Sequence, residues 1–216
     1  MRGLVLVASV LVLAGCGGLG GGHTTKGSGR VVTETRSVGS FTSIDLIGAA
    51  TVDVFVGKPA SLTIRGDDNI LPLIRTDVSD GALVVSSKHS YSSRHDLRLE
   101  IRTPALDAVT LTGAGTFSVG GIHSNAFSLD LSGTATMILA GTTGTLDAKL
   151  SGTGTADLGD LVAQDAHASL SGTGTLRVHA TGSLDATVSG VGSIVYSGRP
   201  RHVKTHVSGV GTITGG

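Results

Sequence analysis

The chain has 216 residues, sixteen basic and sixteen acidic side chains, 3% aromatics and no tryptophan. It therefore lacks the basic excess and the stacking platforms that nucleic-acid binding requires, which argues against nucleic acid as a partner. Glycine, at 34 residues against only 4 prolines, exceeds twice the usual share of roughly 7% without a collagen triplet, so it serves tight corners and close backbone stacking in some other regular plan.

Met1 and Arg2 form a short positive region, Leu4 to Leu13 an apolar one, and Leu13-Ala14-Gly15-Cys16 a small-residue cleavage site. The tetrapeptide resembles the bacterial lipobox, which implies diacylation of Cys16, removal of residues 1–15 as a signal peptide, and a membrane partner through the lipid anchor. Ten apolar residues are about half of the ~20 needed to span a bilayer. Two or three acyl chains, at ~0.8 kcal/mol per buried methylene, make release negligible. Gly17 stands where an aspartate would favour retention at an inner membrane, so the expected address is the cell envelope as an outer-membrane lipoprotein. Residues 16–30, with GGLGGGHTTKGSGR from Gly17 to Arg30, read as a flexible leash spanning roughly 20 Å as a coil, with His23 and Lys26 solvated.

Residues 31–104 read as the first rungs and a cap. Ile44, Leu46, Ala50, Val52, Val54 and Val56 share one parity and alternate with Asp53 and Phe55. Lys58-Pro59 ends that strand, Leu62 and Ile64 begin another, and Gly66-Asp67-Asp68-Asn69 forms an acidic turn. Ile70 to Ile74 suggests one helical turn around Pro72. Asp80-Gly81 marks a tight turn, and Leu97, Leu99 and Ile101 alternate with charged residues until Pro104.

Residues 105–216 carry six copies of one motif: LTGAGT at Leu111, LSGTAT at Leu131, LSGTGT at Leu150 and Leu170, VSGVGS at Val188 and VSGVGT at Val207. Their starts differ by 20, 19, 20, 18 and 19 residues, and such a period with short β-type segments predicts a solenoid. Apolar residues hold every second place before each Ser-Gly, with polar ones between, so each copy is one coil whose apolar side faces inward. Small inward residues such as Ala148, Ala168 and Ala186 imply a narrow bore, and six coils would rise about 29 Å. The fold expected is thus all-β, a right-handed parallel β-helix with rungs of about nineteen residues. An antiparallel sandwich would not demand near-identical repeats.

DATVSGVGSIVYSGRP from Asp185 to Pro200, VSGVGTI from Val207, the SGTGT copies and DNILPLIRTDVSDGALVV from Asp68 to Val85 resemble the bacterial GIN-domain family of auto-transporter adhesin heads, over about residues 35–214. The resemblance implies a secreted or lipid-anchored right-handed β-helix. Copies in that family commonly end SGSGD, whereas the last place here is Thr155, Thr175, Ser193 or Thr212, an uncharged hydroxyl that weakens any expectation of calcium along the ladder.

Enzymatic β-helices need converging carboxylates and aromatic sugar platforms. Asp130, Asp147 and Asp185 lie at comparable repeat places, with Asp157, Asp160 and Asp165 nearby, yet a solvated strand face explains them and aromatics are few. His89, His95, His123, His167, His179, His202 and His206 form no HExxH or Cys/His cluster, so no metal and no cofactor is expected. The Gly-rich motifs lack the Lys-Ser/Thr of a phosphate loop, and no nucleophile elbow is present. Ser151, Thr153 and Thr155 stacked on Ser171, Thr173 and Thr175 would resemble an ice-binding face, although Val191 and Val210 interrupt the middle column. The final copy stops at Gly216 without a cap, which leaves an open parallel edge and predicts self-association there or a protective twist. The expected function is a non-enzymatic envelope lipoprotein whose β-helix acts as a binding or scaffold surface for a glycan or protein ligand; a carbohydrate-active enzyme is the alternative.

Overall fold

The computed structural model describes residues 24–216; the signal peptide, Cys16, Gly17 and His23 lie outside the described residues. In chain order the strands are β1 (Thr25–Lys26), β2 (Val31–Arg36), β3 (Ser43–Val56), β4 (Ser61–Asp67), β5 (Ile74–Ser79), β6 (Ala82–Ser87), β7 (Tyr91–Ser92), β8 (Arg98–Thr103), β9 (Ala108–Leu131), β10 (Thr134–Leu150), β11 (Thr153–Leu170), β12 (Thr173–Val188), β13 (Val191–Ser197), β14 (His202–Val207) and β15 (Val210–Gly215). Among the described residues one 3-10 turn, Leu71–Leu73, carries Pro72 and comes after β4. The body is a right-handed parallel β-helix of about five turns.

The repeats stack as the period requires. Leu150 pairs with both Leu131 and Leu170, Leu170 with Val188, and Leu46 with Leu111. Leu46, Leu111, Leu131, Leu150, Leu170 and Val188 are buried in one file. Beside it runs Leu129, Ala148, Ala168 and Ala186, which keeps the bore narrow. Bulk is traded between rungs rather than repeated: Phe117, Met137, Ala156, Leu176 and Ile194 form one buried column, where the small Ala156 leaves room that its neighbours fill, as close packing demands.

Each Ser-Gly ends one strand and turns the chain into the next rung. The backbone N–H groups of Ser151 and Gly152 both donate to the carbonyl of Leu131, at 2.9 and 3.1 Å, and Thr153 N–H donates to the carbonyl of Gly133 at 2.8 Å. The same three bonds recur at Ser171 and at Ser189, so the corner leaves no orphan donor. Gly152 is obligatory because a Cβ there would overlap the carbonyl oxygen of Gly133, and Gly172 stands in the same relation to Gly152. Two residues on, Gly154 and Gly174 have φ of 143° and 146°, and a Cβ on either would again meet the rung beneath. Ala135 takes this register place without a positive φ, so the second column tolerates an alanine where the backbone relaxes.

The N-terminal end is closed. Strand β3 lies between β9 on one side and β6 and β8 on the other, and β8 is succeeded outward by β4 and β2, all antiparallel. Asp80 and Gly81, with φ of 51° and 78°, form the two-residue turn of the β5–β6 hairpin, the geometry that suits strand twist. Arg36 ties this layer down, donating to the carbonyls of Leu71 and Ile74 at 2.8 and 2.6 Å.

The leash is shorter than its composition suggests. From Thr25 the chain is fixed: β1 pairs with β7, and the acidic turn grips residues 26–30. Asn69 accepts from Ser28 N–H at 2.9 Å and donates to the carbonyl of Lys26 at 2.8 Å. Asp68 accepts from Arg30 Nε at 2.7 Å and from the Ser28 hydroxyl. Asp67, only 1% exposed, accepts from Ser93 Oγ at 2.8 Å and pairs with His95 Nδ1 at 2.9 Å. Glycine at 27 is needed because a Cβ would strike the Asp67 carboxylate. Lys26 is exposed, as expected, but it sits in a strand.

The Ser93 hydroxyl, then His95 and the Gly29 amide, hold the Asp67 carboxyl below the usual carboxylate range against an opposing desolvation. Ser28, then Arg30, does the same for Asp68.

Gly152→Ala should destabilise the chain by about 1–3 kcal/mol in urea unfolding, an overpacking cost, whereas Gly39→Ala, with nothing within 4 Å of the added Cβ, should change it little. Because Asp67 and Asp68 both have lowered native pKa values, their stabilisation is fully present above the unfolded value of about 4 and is lost as pH falls below it. Hydrogen-exchange protection at Thr25, Gly27 and Ser28 should therefore hold above pH about 4 and drop below it before that of Leu150, and Asp67→Asn should flatten the dependence.

Candidate functional site

The side of the solenoid next to the cap carries an open cleft of about 490 Å3. Its floor is built from the first two rungs, where Ala49, Ala50, Ala114 and Gly115 offer no side chain large enough to fill the space, and Leu97 closes the end. Its wall is the segment 91–96, which follows β6 and is fixed by the Asp67 clamp at Ser93 and His95. Tyr91 faces the cleft, and burial pushes its phenol above the ordinary range. The Tyr91 hydroxyl donates to the carbonyl of Ala49 at 3.4 Å. Ser92, His95, Asp96, Thr51 and Thr116 complete the rim. Asp96 is exposed and, among the described residues, has no hydrogen bond or ion pair, so its carboxylate is free to accept from a ligand.

Thr51 and Thr116 also begin a column that crosses the whole body: Thr51, Thr116, Thr136, Thr155, Thr175, Ser193 and Thr212 occupy one register place in successive rungs. Only Thr175 and Ser193 bond one another, at 3.5 Å, among the described residues. The neighbouring column, Thr134, Thr153 and Thr173, ends in Val191 and Val210, so the two-column hydroxyl face required of an ice-binding array is interrupted. The serines are turned toward the backbone instead: Ser132 and Ser151 donate to the carbonyls of Leu111 and Leu131, each at 3.3 Å.

The acidic residues of the rungs do not converge. Asp147 and Asp185 share a column with His167 between them, while Asp130 lies in the adjacent column beside Lys149. The expectation that all three occupy comparable places is corrected: Asp130 sits one residue before Leu131, whereas Asp147 and Asp185 sit three before Leu150 and Val188. Lys149 pairs with Asp147 at 3.1 Å, Lys204 with Asp185 at 3.0 Å and Arg177 with Asp157 at 3.6 Å, and Asp165 accepts from Ser183. These are partly exposed strand-face pairs of small individual worth. His202 and His206 lie on the strand β14. Among the described residues no group of three or more His, Cys, Asp or Glu is placed to hold a metal ion, and no helix is long and apolar enough to cross a membrane.

Sequence reasoning missed the cleft because its wall, Ser-Tyr-Ser-Ser-Arg-His from Ser90 to His95, has no periodicity. The nearest signal was Tyr91, one of two tyrosines in the chain, set in a polar loop.

Solved structures share the whole fold. A protein described as a "putative adhesin" from Bacteroides fragilis is 29% identical with a TM-score of 0.72, covering 88% of this chain and 99% of its own. Proteins described in the same words from Parabacteroides merdae and Parabacteroides distasonis are 19% and 20% identical, with TM-scores of 0.57 and 0.56. They cover 89% and 90% of this chain and 99% and 100% of their own, respectively, and show the fold alone. No curated protein matches the chain. With residues 40–200 matched, the chain belongs to the family described as "Putative auto-transporter adhesin, head GIN domain".

Proposed function

We propose that this chain is a non-enzymatic, lipid-anchored protein of the cell envelope, placed at the outer membrane through Cys16, whose solenoid presents a binding surface for an extended polyhydroxylated ligand such as a glycan. The observation that carries the reading is the continuity of the Tyr91 cleft with the Thr51–Thr212 hydroxyl column. An aromatic wall, a free carboxylate and small apolar floor residues suit one sugar ring, and the column offers further hydroxyls at each rung, ~4.8 Å apart. An enzyme of this architecture would instead need two carboxylates facing one another across the groove; Asp96 stands without such a partner, Asp67 being turned into the clamp. The family description supports a binding role at the cell surface.

The anchor and the site are tested separately. Labelling with a fatty-acid analogue in a bacterial host should mark the chain and place it in the membrane fraction, and Cys16→Ser should abolish both. On a glycan array, the chain beginning at Gly17 should retain longer oligosaccharides better than short ones. Asp96→Asn should weaken retention at least tenfold without lowering the unfolding midpoint, and Tyr91→Ala should weaken it as much while lowering the midpoint modestly, since Tyr91 also packs against the core. Cleaved glycan products would overturn the non-enzymatic reading, and retention unaffected by Tyr91→Ala would remove the cleft from it.

A further inference from the structure

The hydroxyl column does not stop at Thr51. Register carries it on across the cap, because Thr51 pairs with Arg98 on β8, Arg98 with Arg65 on β4, and Arg65 with Thr33 on β2. Register partners project from the same face of a sheet, so two adjacent arginines stand in line with the hydroxyls of the rungs. We propose that this arginine pair is the acid-reading end of the glycan site: the ligand is an oligosaccharide of neutral rings that carries one carboxylate, as a uronic acid, at the end lying over the cap. The inference rests on the glycan reading above and narrows it to a class of sugar.

Three observations carry it. The pair faces outward: Ile64 and Leu99, each one residue along the strand from an arginine, are 0% and 1% exposed, whereas Arg65 and Arg98 are exposed. The pair is also uncompensated. Like charges directly opposite one another weaken a sheet, yet among the described residues neither guanidinium forms an ion pair. Glu100, the next outward residue of β8, pairs with Arg102 at 2.8 Å, and its register partner Asp53 makes no ion pair with Arg98. Neither the core nor the strand pairing requires a cation at either place. Finally, the pair adjoins the cleft, since Thr51 lies on the cleft rim and is the register partner of Arg98.

The arrangement selects the ligand. Two guanidinium groups on strands ~4.8 Å apart each offer a planar fork of N–H donors, and one carboxylate accepts from both. A wholly neutral glycan would leave that charge unanswered. A chain acidic at every ring fits no better, because the rest of the column is uncharged, Asp96 stands on the cleft rim and Asp53 lies in the neighbouring row. A single acid at one end matches the hydroxyls, the cleft and the arginines together, and it fixes the direction in which the ligand lies.

The test is titration calorimetry on the chain beginning at Gly17. Its ligands are a neutral hexasaccharide, the same hexasaccharide with one terminal uronic acid at either end in turn, and a hexasaccharide made wholly of uronic acids. One of the two singly acidic ligands should bind roughly tenfold tighter than the neutral and the wholly acidic ones. Arg98→Gln and Arg65→Gln should each remove most of that advantage and leave the neutral ligand's affinity unchanged. Neither should lower the unfolding midpoint, since each relieves a like-charge contact. Arg75→Gln, at an exposed arginine on β5 outside the row, should alter no affinity. The proposal is overturned if neither singly acidic ligand outbinds the neutral one, if the wholly acidic ligand binds tightest, or if Arg75→Gln costs as much as Arg98→Gln. It is equally overturned if vesicles of anionic phospholipid bind through Arg98 and the acidic sugars do not, which would make a lipid headgroup the anion. Equal binding of neutral and acidic sugars sinks the acid-reading end and spares the cleft, whereas no binding by any sugar removes the glycan reading and this inference with it.

Discussion

The structure depends on how closely successive rungs approach at the Ser-Gly corner. The carbonyl of one rung occupies the space that a side chain on the next would need, in a file running from Gly48 through Gly113, Gly133, Gly152, Gly172 and Gly190 to Gly209. At the corners from Ser151 onward one leucine or valine carbonyl accepts two consecutive N–H groups. A residue with a Cβ would force the rungs apart and release both bonds, so the corner must be copied in every turn. The repetition in the sequence is the imprint of that requirement, since nothing in a binding function by itself would demand the same dipeptide every nineteen residues.

Away from the corner the constraint is on shape alone, and the sequence varies accordingly. The inward columns accept Phe117, Met137, Ala156 and Leu176 at one place, because an apolar bore needs its volume filled and not a particular side chain in each layer. The outward places vary further still, from Asp147 to His167 to Asp185 in one column. The one outward column that stays uniform, the hydroxyl file from Thr51 to Thr212, lies next to the cleft. Neither the corner geometry nor the core requires hydroxyls there, and Ile138, Asp157 and Arg177, two residues further along the same strands, show what the face accepts when it is unconstrained.

This division explains what could be read from the residues alone. The period, the parity of Leu150 and Ala148 and the Asp80-Gly81 turn are all local or repeated signals, and they carried the architecture. The cap was legible only as strands and turns, since pairing of β2 with β4 and of β6 with β3 joins segments that share no pattern. The strap at residues 25–30 was not legible, because Gly and Ser composition reports an unbound chain, whereas here three consecutive side chains from the acidic turn supply its order. Asp67 has the sequence setting of a solvated turn residue; its burial arises from Gly27, Ser93 and His95, which come from two distant segments. The cleft depends in turn on that burial.

The strap, the clamp and the cleft form one mechanical series. The acyl anchor proposed at Cys16 would pull on the chain at Thr25, β1 is only two residues long, and its partner β7 contains Tyr91. Load on such a tether would therefore reach the wall of the cleft before any rung. Resistance would come from Asp68 and Asn69 holding residues 26–30, and from Asp67 holding Ser93 and His95, so the same turn secures both the strap and the wall of the cleft. The rungs behind are joined by parallel ladders along β9 to β12 and share one core, which makes them far stiffer than a two-residue strand. Any loosening under load is thus confined to the segment that forms the cleft, and the solenoid serves as the fixed frame against which that segment is held.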